Sequence, residues 1–289
     1  MSEGVALRVL VAGDEARLFE FLGRYLESSL FFFSNIERAG LVDRGEPFQG
    51  TYLACFDASG ELSAVVGHAW NGNLFLQGDA GLELLAQSVA QRSGRPIRGL
   101  IGPWPLVCRA RRALGLDETA AAHDGHELLY DLQLRDLRRP ELLSRSDVEL
   151  RVPSASEAVD VVASWRADYH VEILGKQPSA ELEARARREV EAWLVTGSLW
   201  VLSVSGKLVA MTGFNAEARG IVQIGGVFTP PPERARGYAR SAVAASLELA
   251  RARGFTRSVL FTERKNRAAQ RAYEALGYRP VGDFGLVLF

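Results

Sequence analysis

An α/β (α+β) chain of two similar modules, each a mixed sheet flanked by helices, is the fold that the sequence predicts. Three observations predict it. Period-two apolar runs alternate with helical stripes along the whole length. The order of elements in residues 1–134 recurs in residues 148–289. Ala113-Leu114-Gly115 and Ala275-Leu276-Gly277 close matching helices with the same three residues.

In the second half, a strand at 148–152 is followed by Pro153 and a helix opening at 154–158. A helix over 180–196 has Ser179 as N-cap, Glu181 and Glu183 in its first turn, and a stop at Gly197. Leu182, Ala186, Val190 and Trp193 form its apolar stripe. A hairpin over 199–203 and 208–215 turns at Ser205-Gly206-Lys207. A strand at 221–228, a helix at 237–253 buried through Val243, Leu247 and Ala250, a strand at 258–262, a helix at 267–276 and a strand at 285–289 complete it. The first half shows a strand at 7–11, a helix from Asp14 to about Ala39, and a hairpin over 51–56 and 62–70. A strand at 73–76, a helix at 82–91, a strand at 97–101, a helix to Leu114 and a strand at 128–134 follow. The charged stretch 135–147, with Pro140, reads as linker.

Composition excludes several classes. Lys plus Arg is 34 and Asp plus Glu is 35, so the net charge of -1 gives no general attraction to nucleic acid or anionic membrane. The two cysteines and four histidines show no metal-ligand spacing, so neither a disulfide framework nor a bound metal is expected. Met1-Ser2-Glu3-Gly4 lacks a basic n-region, and Leu30-Phe31-Phe32-Phe33 is far short of a membrane span. A cytoplasmic protein is expected; oligomeric state is not readable.

The informative segment runs from Val227, Phe228 and Thr229 through Pro230-Pro231-Pro232-Glu233 to Arg234-Ala235-Arg236-Gly237-Tyr238-Ala239. It leaves a strand and opens a helix, whose N-terminus offers unpaired N–H groups and partial positive charge to phosphate oxygens. Gly237 allows close backbone approach, and Arg234 and Arg236 add charge. Lys-Ser/Thr and three spaced glycines are missing, which excludes a Walker loop and a dinucleotide fingerprint. Gly225-Gly226 in the preceding strand marks a bulge or a close approach. Downstream, Asn266, Ala269 and Tyr273 lie toward one side of a helix, since seven residues turn roughly 700°.

Arg234-x-x-Gly237-x-Ala239 and Asn266-x-x-Ala269-x-x-x-Tyr273 resemble the two coenzyme A segments of the GNAT superfamily of N-acetyltransferases. The resemblance covers about residues 149–289. It implies tandem GNAT-like modules with mostly antiparallel sheets: residues 1–134 a degenerate module, 135–147 a linker, 148–289 the acetyltransferase domain. It implies acetyl-CoA as acyl donor, with pyrophosphate on Arg234, Ala235, Arg236, Gly237, Tyr238 and Ala239. Val227, Phe228 and Thr229 would order the pantetheine arm, Asn266 and Ala269 would meet it, and Tyr273 would protonate the departing thiolate. The acceptor would be a primary amine of a small molecule or peptide, attacking directly. In the first half Leu76-Gln77-Gly78-Asp79-Ala80-Gly81 carries no arginine, and the helix after Gly102-Pro103-Trp104-Pro105 lacks the Asn-to-Tyr spacing.

The base is open. The strand before the loop carries Gln223 where many relatives have a carboxylate. Glu263 reads first as a solvated loop charge and His170 as a surface or helix-capping histidine; a water chain is the third option. The missing carboxylate keeps a second reading open, an acyl-CoA sensor without turnover.

Overall fold

The computed structural model describes residues 6–289, so Met1–Gly4, read above for targeting, lies outside the described residues. The chain divides into one unit of residues 1–129 with 282–289 and a second of residues 130–281. The boundary thus falls before the expected linker, and 134–136 and 141–144 are short 3-10 turns inside the second unit. Among the described residues no helix is long and apolar enough to cross a membrane.

In the first unit, β1 (Ala6–Val9), β2 (Gly50–Phe56), β3 (Leu62–Ala69) and β4 (Asn73–Gln77) pair antiparallel in sequence order. β4 then pairs parallel with β5 (Gly99–Pro103). The helix expected over 14–39 is two, α1 (Glu15–Gly23) and α2 (Leu26–Ala39). Gly23 weakens the helix there, Tyr25 leaves helical geometry at φ -136, and its ring packs on Phe21 at 5.5 Å. α3 (Leu82–Ser93) and α4 (Trp104–Ala113) cover one face, where Leu76, Leu85, Val89, Leu100 and Val107 form a dry core.

The last strand departs from expectation. It spans Arg279–Leu288, and its segment Phe284–Leu288 pairs antiparallel with Pro103–Gly99 of the first unit. Val287 is fully buried among Leu100 and Val107. An alternating apolar run specifies a strand but not the sheet that receives it, and this partner lies far away in sequence. β6 (His123–Gln133) gives its final residues to the second unit.

In the second unit the strand order is β6, β11 (Arg257–Glu263), β10 (Ile221–Phe228), β9 (Lys207–Ala218), β8 (Leu199–Val204) and β7 (Val148–Arg151). The helix opening at Ser154 is set by a reciprocal cap: Ser154 accepts from the Glu157 N–H while Glu157 accepts from the Ser154 N–H. It continues from α5 (Ala155–Glu157) through a wide π turn at Ala158–Val162 into α6 (Ala163–Glu172), an element the sequence did not announce. α7 (Ala180–Val195) buries Leu182, Ala186 and Val190 as expected, and Ser179 accepts from the Leu182 N–H. α8 (Tyr238–Ala252) buries Val243, Leu247 and Ala250, and α9 (Arg267–Leu276) follows β11.

Candidate active site

The site starts from two glycines. β10 and β11 pair in parallel through Ile221–Gln223 and Arg257–Val259, and the ladder stops there although both strands continue. On its other edge β10 slips register against β9 between Gln223 and Ile224 and between Gly225 and Phe228. Gly226 has φ +58, and a Cβ there would lie 2.3 Å from the Trp193 ring; a Cβ on Gly225 would meet Asn215 at 2.0 Å. The bulge therefore needs glycine for conformation and for space. The strands part beyond it, leaving a strand edge to which an extended ligand can add. Gly226→Ala is expected to cost about 2–4 kcal/mol, from left-handed strain and overpacking. Urea unfolding checks this, and no change in the midpoint would contradict it.

The loop after β10 is held by its own charges. Glu233 is buried, bonded by Lys207 and, at 3.2 Å, by Arg236. Arg234 donates to the Thr229 carbonyl at 2.9 Å and to Glu172 at 2.6 Å. Both arginines thus make contacts within the protein that brace the loop. Ala235 at φ 62 and Gly237 at φ 78 curl the chain into α8. The first main-chain bond of that helix runs from Ser241 N–H to Gly237 carbonyl, so the N–H groups of Tyr238, Ala239 and Arg240 have no intrahelical acceptor. No acidic residue occupies its first turn. Arg240, missed from the sequence, folds back so that its Nη2 is 3.6 Å from the Cβ position of Gly237. Its Nε is buried without a partner, as is Thr229 Oγ1. Helix dipole, free N–H groups and this guanidinium together suit a phosphate. Arg240 lies one residue past the pattern, in the same arginine-rich stretch.

On α9, Asn266 is the N-cap, its side-chain oxygen accepting the Ala269 N–H at 3.0 Å. Ala269 remains partly exposed. Tyr273 packs edge-on to Tyr278 at 6.0 Å. Burial, with a smaller push from Tyr169, holds its phenol well above the usual tyrosine range, so it carries its proton at neutral pH. Val227 is half-buried and Phe228 buried.

α6 and α7 bring together a charged cluster. His170 is 2% exposed and buried rather than superficial, and its Nε2 lies 2.7 Å from Glu189 Oε2. Arg166 Nε donates to the same oxygen at 2.7 Å, and Arg185 Nε to Oε1 at 2.8 Å. Burial opposes the Glu189 charge, but the bond from His170 and the Arg166 and Arg185 charges prevail and hold the carboxyl far below its ordinary range. The Arg166 guanidinium lies 4.8 Å from the Tyr169 ring and 4.7 Å from Trp193. Glu263 ends β11 and is partly exposed. A cleft of about 450 Å³ runs between the π turn, the start of β9 and the loop, with Val161, Trp165, Leu208, Pro230 and Pro232 on its walls.

The corresponding region of the first unit differs in its side chains. The β4–β5 ladder likewise ends after three pairs, but a Cβ on Gly102 of β5, one step further on, would sit 2.7 Å from the Leu76 carbonyl of β4. Gln77 accepts from Ser28 at 3.0 Å and Ser29 at 3.2 Å. Glu83 occupies the first turn of α3, paired with Arg109 at 2.7 Å.

Parallel strands that lead to a glycine turn at a helix N-terminus form a site whose shape suits an extended ligand ending in an anion. Residues 160–278 match the model of the Acetyltransferase (GNAT) family. A mycothiol acetyltransferase of Thermobispora bispora is 33% identical over 109 residues, which spans 36% of this chain and 37% of that relative. The fold is similar to that of a GCN5-related N-acetyltransferase from Sphaerobacter thermophilus, with TM-score 0.57 and 16% identity over 98% of this chain and 94% of that one. It is also similar to a tandem GNAT protein from the clavulanic acid biosynthesis pathway, with TM-score 0.52 and 13% identity over 98% and 97% of the two chains.

Proposed function

We propose that the second unit transfers an acetyl group from acetyl-CoA to a primary amine of a small molecule or peptide, and that the first is a copy of the fold without coenzyme A binding. The observation that carries this reading is the opening of β10 from β11 beyond Gln223 and Val259, continuous with the Gly237 turn. The pantetheine arm adds to the free edge from Gly225 to Thr229, where the Thr229 hydroxyl lacks a partner. The N–H groups of Tyr238, Ala239 and Arg240 and the Arg240 side chain receive the pyrophosphate. Arg234 and Arg236 shape that turn. Asn266 and Ala269 border the arm, with Asn266 using its oxygen as a cap. The amine nitrogen attacks the thioester carbonyl, the carbon–sulfur bond breaks, and Tyr273 gives its proton to the leaving thiolate. The amine's proton leaves to water, since His170 Nε2 is engaged by Glu189.

Coenzyme A binding by calorimetry and free-thiol release from acetyl-CoA across an amine and peptide panel test the proposal. The panel includes the acceptor of the mycothiol acetyltransferase and glucosamine. Gly237→Glu places a carboxylate at the helix N-terminus with φ 78, and is expected to weaken coenzyme A binding roughly 30-fold, about 2 kcal/mol. No binding by the wild-type protein would sink the reading. Tight binding without amine-dependent thiol release would favour a sensor, the reading that Gln223 in place of a carboxylate supports.

A further inference from the structure

The function proposed above leaves the chemistry of the α6–α7 cluster unused, and Arg166 is its member beside the point where the strands part. Its side chain is 12% exposed and its Nε is bonded to Glu189. No hydrogen-bond acceptor meets its terminal nitrogens among the described residues. Nη1 lies 3.3 Å from the Cβ position of Gly226, the residue at which the strands part. The guanidinium lies over the Tyr169 ring and over the Trp193 ring. Stacking fixes the plane and leaves the outer edge of the fork for a planar, two-oxygen acceptor.

The surrounding charge is unbalanced. One carboxylate, Glu189, faces two guanidinium groups, Arg166 and Arg185, and the imidazole of His170. Glu172, at the end of α6, is bonded by Arg234. Tyr169 and Tyr273 are phenols and supply no negative charge at neutral pH. A positive fork beside the point of acyl transfer suits an anion on the acceptor.

We propose that the acceptor amine carries a carboxylate one or two carbons from its nitrogen, as a free amino acid does, and that Arg166 binds that carboxylate in two-point fashion. The carboxylate on the fork then holds the neighbouring nitrogen beside Gly226, where the thioester carbonyl arrives. Arg166 is in this sense a positioning and specificity-determining residue. This rests on the acetyltransferase reading of the same site.

The test uses pairs of free amino acids and their carboxamides, assayed by thiol release with saturating acetyl-CoA. The wild-type protein is expected to favour the carboxylate member of at least one pair by ~10–100-fold in kcat/KM, mostly through KM. Arg166→Gln is expected to bring that ratio close to one, and Arg166→Lys to leave an intermediate ratio. Because the readout is a ratio within one protein, a general loss of rate does not move it. A ratio near one for every pair in the wild-type protein overturns the proposal. So does an unchanged ratio in Arg166→Gln with both rates lowered together, which would place the guanidinium on the thioester carbonyl or on packing. Should no amine release thiol, the acetyltransferase reading fails by itself. Calorimetric titration of the coenzyme A-loaded protein with the same pairs then decides: carboxylate-selective binding lost in Arg166→Gln supports the proposal, and equal or absent binding of both members overturns it.

Discussion

Tyr273→Phe lowers kcat ~10²–10³-fold while the KM for acetyl-CoA stays within about twofold, the pattern of an interaction made only in the transition state. The leaving thiolate needs a proton as the tetrahedral intermediate collapses. The Tyr273 phenol is held above the ordinary tyrosine value, first by burial and then by Tyr169. It is therefore protonated throughout the neutral range, and its own ionisation produces no loss of rate between about pH 7 and 9. The ring keeps its edge-on packing against Tyr278 in the phenylalanine variant, so stability changes little. Steady-state thiol release across pH 6–9 provides the check. A kcat within about threefold of wild type would remove Tyr273 from the chemistry.

Glu189→Gln destabilises the second unit by about 3–5 kcal/mol, because the Arg166 guanidinium then stays buried without a counter-charge. The carboxylate is bonded at 2.7 Å to both and at 2.8 Å to Arg185. A melting temperature lower by roughly 6–15 °C follows. Glu172→Gln is the control. Its ion pair with Arg234 is about four-tenths exposed on both sides, and its loss is expected to cost under about 1 kcal/mol. The pH dependence has a definite sign. The folded pKa of Glu189 is depressed below its ordinary 4.5, so the unfolded chain binds more protons in the acid range. Its stabilisation is complete above pH ~5 and is lost as pH falls below the unfolded value and on through the folded one. Wild-type stability therefore slopes down on acidification, and Glu189→Gln flattens part of that slope. Parallel slopes in the two proteins would show that Glu189 is not the group responsible.

The cofactor side of the site was readable because it depends on local chemistry. A strand, two glycines, a proline-rich turn and a helix start are encoded in one continuous segment, and β10 spans Ile221–Phe228 as the sequence indicates. α9 likewise runs Arg267–Leu276, with Asn266 as its cap. Residue identity did not reveal which charges are already spent. Arg234 and Arg236 resemble phosphate ligands in sequence, yet they answer Glu172, the Thr229 carbonyl and Glu233. Arg240, outside the pattern, keeps its Nε free beside Gly237.

The acceptor side was largely hidden. Val159, Val161 and Val162 interrupt helical propensity ahead of α6, and the wide turn at Ala158–Val162 carries the helix through them. Arg166, His170, Arg185 and Glu189 come from two helices, and only their packing makes one cluster of them.

By itself the sequence determined the local elements: the double order of strands and helices, the cap at Ser179, and the glycine turn that ends in a helix N-terminus. Each depends on residues a few positions apart, whose propensities and hydrogen bonds act within one turn or strand. The tertiary structure alone decided that Phe284–Leu288 completes the first unit beside β5, that β10 and β11 part after Gln223, and that Glu189 gathers Arg166, Arg185 and His170. Those outcomes depend on which surfaces meet over long separations, where buried area and paired charge select the partner and short-range sequence pattern does not.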